Sequence, residues 1–156
     1  MRECGGCTAC CKTHPLKSIR KAQNTWCPDC LIGKGCNIYA DRPSGCAEFR
    51  CQWLMGYGGD NERPDKVRIV LDYHTMEAIG VPALMISEVS HGGIEHSFAK
   101  KAIEYGFRLR KPVFVQYADG RQKIYFPKKS FSFVVTREIH DACVQARVEM
   151  EYYDDL

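Results

Sequence analysis

Apolar and polar positions follow two different rhythms in the last hundred residues. Short apolar runs rich in β-branched and aromatic residues occur at 67–73, 83–89, 113–118 and 122–126, which predicts four strands. Asp119-Gly120 lies between the last two and predicts a two-residue hairpin turn. Over 94–106, Ile94, Phe98, Ala102 and Ile103 recur at near-helical spacing, and Gly106 supplies a stop, so a helix is expected there. A last helix is expected from Thr136 as N-cap, with Glu138 in its first turn. It runs through Ile139, Ala142, Cys143, Ala146 and Met150 to about Tyr152. The order of these elements predicts an α+β fold: a small antiparallel sheet with two helices on one face. The turn-rich stretch 56–65 separates this part from the N-terminal third and is too short for a free tether.

Cysteine distribution changes the picture. Nine of the ten cysteines lie in the first 51 residues: Cys4, Cys7, Cys10, Cys11, Cys27, Cys30, Cys36, Cys46 and Cys51. The chain therefore divides into a cysteine-rich region, 1–56, and an α+β region, 57–156, expected to pack as one compact unit. Charge divides the same way. Residues 1–56 hold eight Lys/Arg against four Asp/Glu, net +4, whereas 57–156 hold fourteen against fifteen, net −1. So small an excess, with little aromatic interleaving, argues against a nucleic-acid partner. No apolar stretch is long enough to span a membrane, and the first residues carry no apolar signal-peptide core. A cytoplasmic protein of bacterial type is expected.

That compartment disfavours a disulfide framework, because the cytosol keeps thiols reduced. The adjacent pair Cys10-Cys11 is also poorly disposed to bridge with itself. Metal fits the spacing better. Cys4-x2-Cys7-x2-Cys10 places three thiols in one tight turn, which Gly5 and Gly6 permit, and Cys27-x2-Cys30 is a second knuckle. Cys36, Cys46 and Cys51 are spaced to close a site from a distance. Zinc takes about four such ligands, so nine thiols suffice for two sites, or for a cluster with bridging thiolates that the Cys10-Cys11 doublet favours. An iron–sulfur cluster is the competing reading, since C-x2-C-x2-C also opens ferredoxin-type cluster loops. Thiolate softness does not separate the two metals, and zinc is preferred. Two or three divalent ions cancel only four to six of nine thiolate charges. Lys12, Arg20, Lys21, Lys34, Arg42 and Arg50 are candidates to offset the remainder.

The segments C-G-G-C-T-A-C-C at 4–11, W-C-P at 26–28 and G-C-N-I-Y-A-D-R-P-S-G-C-A-E-F-R-C-Q-W-L at 35–54 resemble the CxxCxxCC family. These are small, mostly bacterial cysteine-cluster proteins described as zinc- or iron-chelating. The resemblance covers about residues 3–55, and R-P-D at 63–65 looks like its continuation. It implies metal ligation by Cys4, Cys7, Cys10, Cys11, Cys27, Cys36, Cys46 and Cys51, with Cys30 less usual at its position. It implies no reaction. Within the motif, Ile38 and Tyr39 are expected to pack under the metal loops, Arg42-Pro43 to form a rigid turn, and Phe49, Trp53 and Leu54 to pack at helical spacing.

The histidines show no HExxH arrangement. His91 and His96 flank a helix start, His14 is the one histidine inside the metal region, and Cys143 on the last helix is expected to be a core thiol. Three functions compete: a metal-binding protein with a structural, storage or delivery role, a metal-dependent or redox enzyme, and a zinc-based nucleic-acid binder. Surplus thiols saturate metals and close sites, which favours the first.

Overall fold

The computed structural model describes residues 2–77, 79–128 and 134–154. Among the described residues two sheets are present. A two-stranded antiparallel one pairs β1 (Cys30–Leu31) with β2 (Gly35–Cys36). A five-stranded one takes β3 (Ile69–Met76), β4 (Val81–Glu88), β5 (Val113–Gln116), β6 (Gln122–Pro127) and β7 (Glu149–Tyr153) in sequence order. Three short helices precede it: α1 (Ala9–Thr13), α2 (Ser44–Glu48) and α3 (Pro64–Val67). Two longer ones are interleaved with its strands, α4 (Ser97–Arg108) and α5 (Arg137–Gln145).

The mixed α/β content agrees with the sequence reading, but the sheet is mixed rather than antiparallel. β3 pairs antiparallel with β4, and β5 with β6. β4 pairs parallel with β5 and β6 with β7, because each pair is joined by a helical crossover instead of a hairpin. The helices also lie on opposite faces. Val67, Ile69, Leu71, Leu84, Ile86, Val113 and Val115 pack with Phe98, Ala99 and Ala102 of α4. The alternate positions, Met85, Phe114, Ile124 and Phe126 among them, pack with Cys143 of α5. β5 is buried at all four positions and β4 at all but Pro82, as expected of central strands covered on both sides.

Two other expectations fail locally. Thr136 caps α5 as predicted, its hydroxyl accepting from the Ile139 N–H at 3.3 Å. The helix stops at Gln145, however, and the chain reverses through Arg147, whose φ is 56°. It then enters β7, which pairs Met150 with Ile124. The predicted two-residue hairpin is one residue wider: the Tyr117 N–H donates to the Arg121 carbonyl at 2.9 Å, leaving Ala118–Gly120 as the loop. Among the described residues no helix is long and apolar enough to cross a membrane.

Gly106 lets α4 lie close on the sheet. A Cβ there would stand 2.3 Å from Val113 Cγ2 and 3.3 Å from Leu84 Cδ2, and Val113 is fully buried. Gly106→Ala sets a helix-propensity gain of at most about 1 kcal/mol against overpacking of about 1–3 kcal/mol. The expected outcome is a net loss of stability, read as a lower urea midpoint with unchanged m. A raised midpoint would show that α4 is free to move off the sheet.

Candidate metal centre

The first cysteines sit on a tight turn leading into α1. Gly5 has a φ of 51°, and the Cys7 N–H closes the turn on the Cys4 carbonyl at 2.9 Å. Gly6 permits a close approach, since a Cβ there would stand 3.0 Å from the Gly33 carbonyl oxygen. Beside it, the buried Thr8 hydroxyl accepts from the Gly33 N–H at 3.0 Å. These contacts dock the β1–β2 turn on the first loop. α1 then carries Cys10 and Cys11 on successive positions.

Backbone hydrogen bonds bring the later cysteines to the same place. The Cys27 N–H donates to the Cys11 carbonyl at 3.0 Å, which lays the second knuckle on α1. The Cys30 N–H donates to the Cys27 carbonyl at 3.1 Å, and β-pairing sets Cys30 opposite Cys36. Cys46 is held in α2, where its N–H donates to the Pro43 carbonyl at 2.9 Å. Cys51 is buried with Ala9, Trp53 and Val70, the last of these from β3. The result is a single cavity of about 1010 Å³ lined by Cys4, Cys7, Cys10, Cys11, Cys27, Cys30, Cys36, Cys46 and Cys51. Cys143 lies apart, fully buried under α5.

All ten cysteines are free thiols. Burial pushes the Cys7 thiol up to about 11 and the Cys30 thiol up to about 12. Cys11 is raised first by the neighbouring Cys10 thiol and then by burial, with Cys30 and Lys21 opposing the rise. Burial raises Cys4, Cys46 and Cys51 as well; at Cys4 the guanidiniums of Arg42, Arg50 and Arg63 oppose the rise. The cavity thus gathers nine thiols, with Lys34, Arg42 and Arg50 on its lining. Among the described residues no three His, Cys, Asp or Glu side chains already stand close enough together to hold one metal ion. The donor set has the chemistry for a thiophilic metal, and its sulfurs must draw in to use it.

Other motif residues depart from expectation. Residues 49–54 are not helical. Phe49 is extended, with ψ 130°, and the Gln52 N–H bonds instead to the Leu71 carbonyl at 2.8 Å. Phe49, Trp53 and Leu54 still pack around Val70, because the turn at 52–56 is held against edge strand β3 by that Gln52–Leu71 bond. Tyr39 does not pack beneath the loops. It is 60% exposed, with the Arg42 guanidinium 3.9 Å from its ring centre, and the Arg42 Nε is buried without a hydrogen-bond partner. Ile38 does line the cavity.

His14 lines it too, 4.4 Å centre to centre from the Phe49 ring, and burial lowers its affinity for a proton. His96 is occupied elsewhere: its Nδ1 accepts from the Phe98 N–H at 3.1 Å and caps α4. The Arg63–Asp65 pair, bidentate at 2.6 and 2.8 Å, stands close enough to Cys7 for the Asp65 charge to raise that thiol and the Arg63 charge to lower it. The sequence places R-P-D in the motif but gives it no role, since nothing local connects residue 65 to residue 7. No family model, curated protein or solved structure matches the chain, so the resemblance to the CxxCxxCC proteins rests on the motif residues alone.

Proposed function

We propose that this is a metal-binding protein that holds two or three zinc ions through its cysteine cluster, in a structural, storage or metal-delivery role. The observation that carries the reading is the convergence of nine cysteines, spread over 48 positions of sequence, on one cavity while the tenth is excluded. Free thiols at this density, sheltered by burial and bordered by Arg42, Arg50 and Lys34, form a donor set for a soft or borderline cation. Zinc, when bound, would supply a fixed tetrahedral charge that holds thiolates together. The chain supplies the sulfurs, the turns that present them and the cations that offset surplus negative charge. The ligands proposed are Cys4, Cys7, Cys10, Cys11, Cys27, Cys30, Cys36, Cys46 and Cys51.

The test is elemental analysis of protein purified without oxygen, with its visible spectrum. Two to three zinc per chain and no colour are expected. Iron with labile sulfide would replace zinc by an iron–sulfur cluster, and absence of any metal after reconstitution would overturn the proposal. In the same assay Cys46→Ser is expected to lower the metal count, whereas Cys143→Ser leaves it unchanged. Equal losses would show that the cavity is not the site.

A further inference from the structure

Strand register brings two of the thiols face to face. β1 and β2 run antiparallel, with Cys30 directly opposite Cys36 and Leu31 opposite Gly35. The Asn37 N–H donates to the Asp29 carbonyl at 2.9 Å, so positions 29 and 37 form a hydrogen-bonded pair. Pairs alternate along an antiparallel ladder, which makes Cys30 and Cys36 a non-hydrogen-bonded pair, the kind whose side chains stand closer. Directly opposite residues also project from the same face. The surroundings agree with that register. Cys30 and Cys36 both line the cavity, while Leu31 between them does not and is 48% exposed.

The Cα atoms of such a pair are about 4.5 Å apart, inside the range of about 4.4–6.8 Å that a disulfide spans. Closing the bond therefore asks for side-chain rotation rather than backbone movement. The hairpin itself is already set. The Lys34 N–H closes its turn on the Leu31 carbonyl at 2.8 Å, and Gly33 takes a φ of 73°. Other thiol pairs are less well disposed. Cys10 and Cys11 are successive on α1 and point about 100° apart. Cys4 with Cys7, and Cys27 with Cys30, span tight turns, whose two ends are not obliged to share a face. Among the described residues no other two cysteines are partners across strands. A small oxidant can reach the pair: Cys30 and Cys36 are half-buried, and residues 31–34 beside them are exposed.

We propose that Cys30 and Cys36 are a redox-active dithiol, an oxidation site that closes to a cross-strand disulfide on reaction with a peroxide and is reopened by a thiol reductant. One sulfur attacks a peroxide oxygen, the O–O bond breaks, water leaves with that thiol's proton, and a sulfenic acid remains. The opposing sulfur then attacks the oxidised one. The S–O bond breaks, the S–S bond forms, and the second proton leaves in a second water. Two electrons pass from the thiols to the peroxide. A partly exposed disulfide of this kind is labile and regulatory rather than structural. The inference goes beyond the metal-binding reading. Where that reading holds, oxidation withdraws two of the nine sulfurs that line the cavity.

The experiment treats protein purified without oxygen, any metal left in place, with one equivalent of hydrogen peroxide. Remaining thiols are alkylated, and linked peptides are located by fragmentation in a mass spectrometer. Expected are a loss of two thiols per chain, Cys30–Cys36 as the dominant link, and recovery of both thiols with dithiothreitol. Cys36→Ser is expected to form disulfide at least about tenfold more slowly, because the oriented partner is gone. Cys143→Ser, which removes a fully buried thiol apart from the cavity, is expected to react at the wild-type rate. A dominant link at Cys4–Cys7 or Cys27–Cys30, a scrambled mixture, links between chains, thiols that dithiothreitol does not restore, or an unchanged rate in Cys36→Ser would each overturn the inference. The wild-type map requires no variant to fold and does not depend on zinc. A protein that takes up no zinc yet forms this link would remove the metal reading and leave the dithiol standing.

Discussion

Phe114→Ala is expected to cost about 3–5 kcal/mol, enough to leave much of the chain unfolded at ambient temperature. Phe114 is 2% exposed on the middle strand of the five-stranded sheet. It is paired with Met85 on one side and Ile124 on the other, with α5 above. Truncation removes a large apolar group at a place where none of three elements can collapse inward without breaking strand pairing. The reference is Val144→Ala, on that same helix but 57% exposed, for which a change within about 0.5 kcal/mol is expected. Urea unfolding monitored by circular dichroism gives both values. A loss below about 1 kcal/mol for Phe114→Ala would show that α5 does not close this face.

Metal removal should act on the other half of the molecule. In the proposed zinc-loaded protein, a strong chelator is expected to loosen residues 2–56 while the sheet stays folded, since structural zinc supplies folding free energy to segments with little core of their own. The apolar group under the cavity is small: Ala9, Cys51, Trp53 and Val70, with four half-buried neighbours. Trp53 is the reporter. It is buried, and its Nε1 donates to the Gly59 carbonyl at 3.0 Å. Trp26, half-buried near Lys12, is the second. A red shift in fluorescence with retained strand signal in the far ultraviolet is expected. Metal loss, verified by elemental analysis, without any shift would rule out a structural role. The same titration should depend on pH in a definite sense. Burial holds Cys7 and Cys30 above the ordinary thiol range, so binding must expel their protons. Affinity should therefore fall as pH is lowered.

Strands are more legible in the sequence than their partners are. The runs around Ile86 and Val115 are unmistakable because central strands are apolar on both faces. Parallel pairing leaves no comparable mark, since it depends on a helix reaching back over the sheet. β7 reads as helix for a specific reason. Met150 continues the apolar spacing of Ile139, Ala142 and Cys143, and the reversal is made by Arg147 in the left-handed region, where a glycine would have announced it. At the site, the cysteine run marks the residues that gather, but spacing alone does not show that Cys4 and Cys51 line one cavity with Cys36. Those proximities come from single backbone bonds, such as Cys27 to Cys11. The pairing of Cys30 with Cys36 is equally hidden, because strand register is a property of the folded hairpin.

The sheet's strand order matches its order of synthesis. Each strand finds its neighbour already emerged, so the sheet can grow from one end as the chain leaves the ribosome. Nine of the ten cysteines precede all of it, yet their anchors come late. Lys12 bonds to the Val89 carbonyl, Gln52 to that of Leu71 and Asn24 to that of Tyr117. At about 5–20 residues per second, the interval between Cys51 and Tyr117 lasts roughly 3–13 s. Until its end the scaffold around the nascent thiols is incomplete. In the proposed zinc-loaded protein, metal acquisition would then compete with thiol oxidation while the chain is still being made.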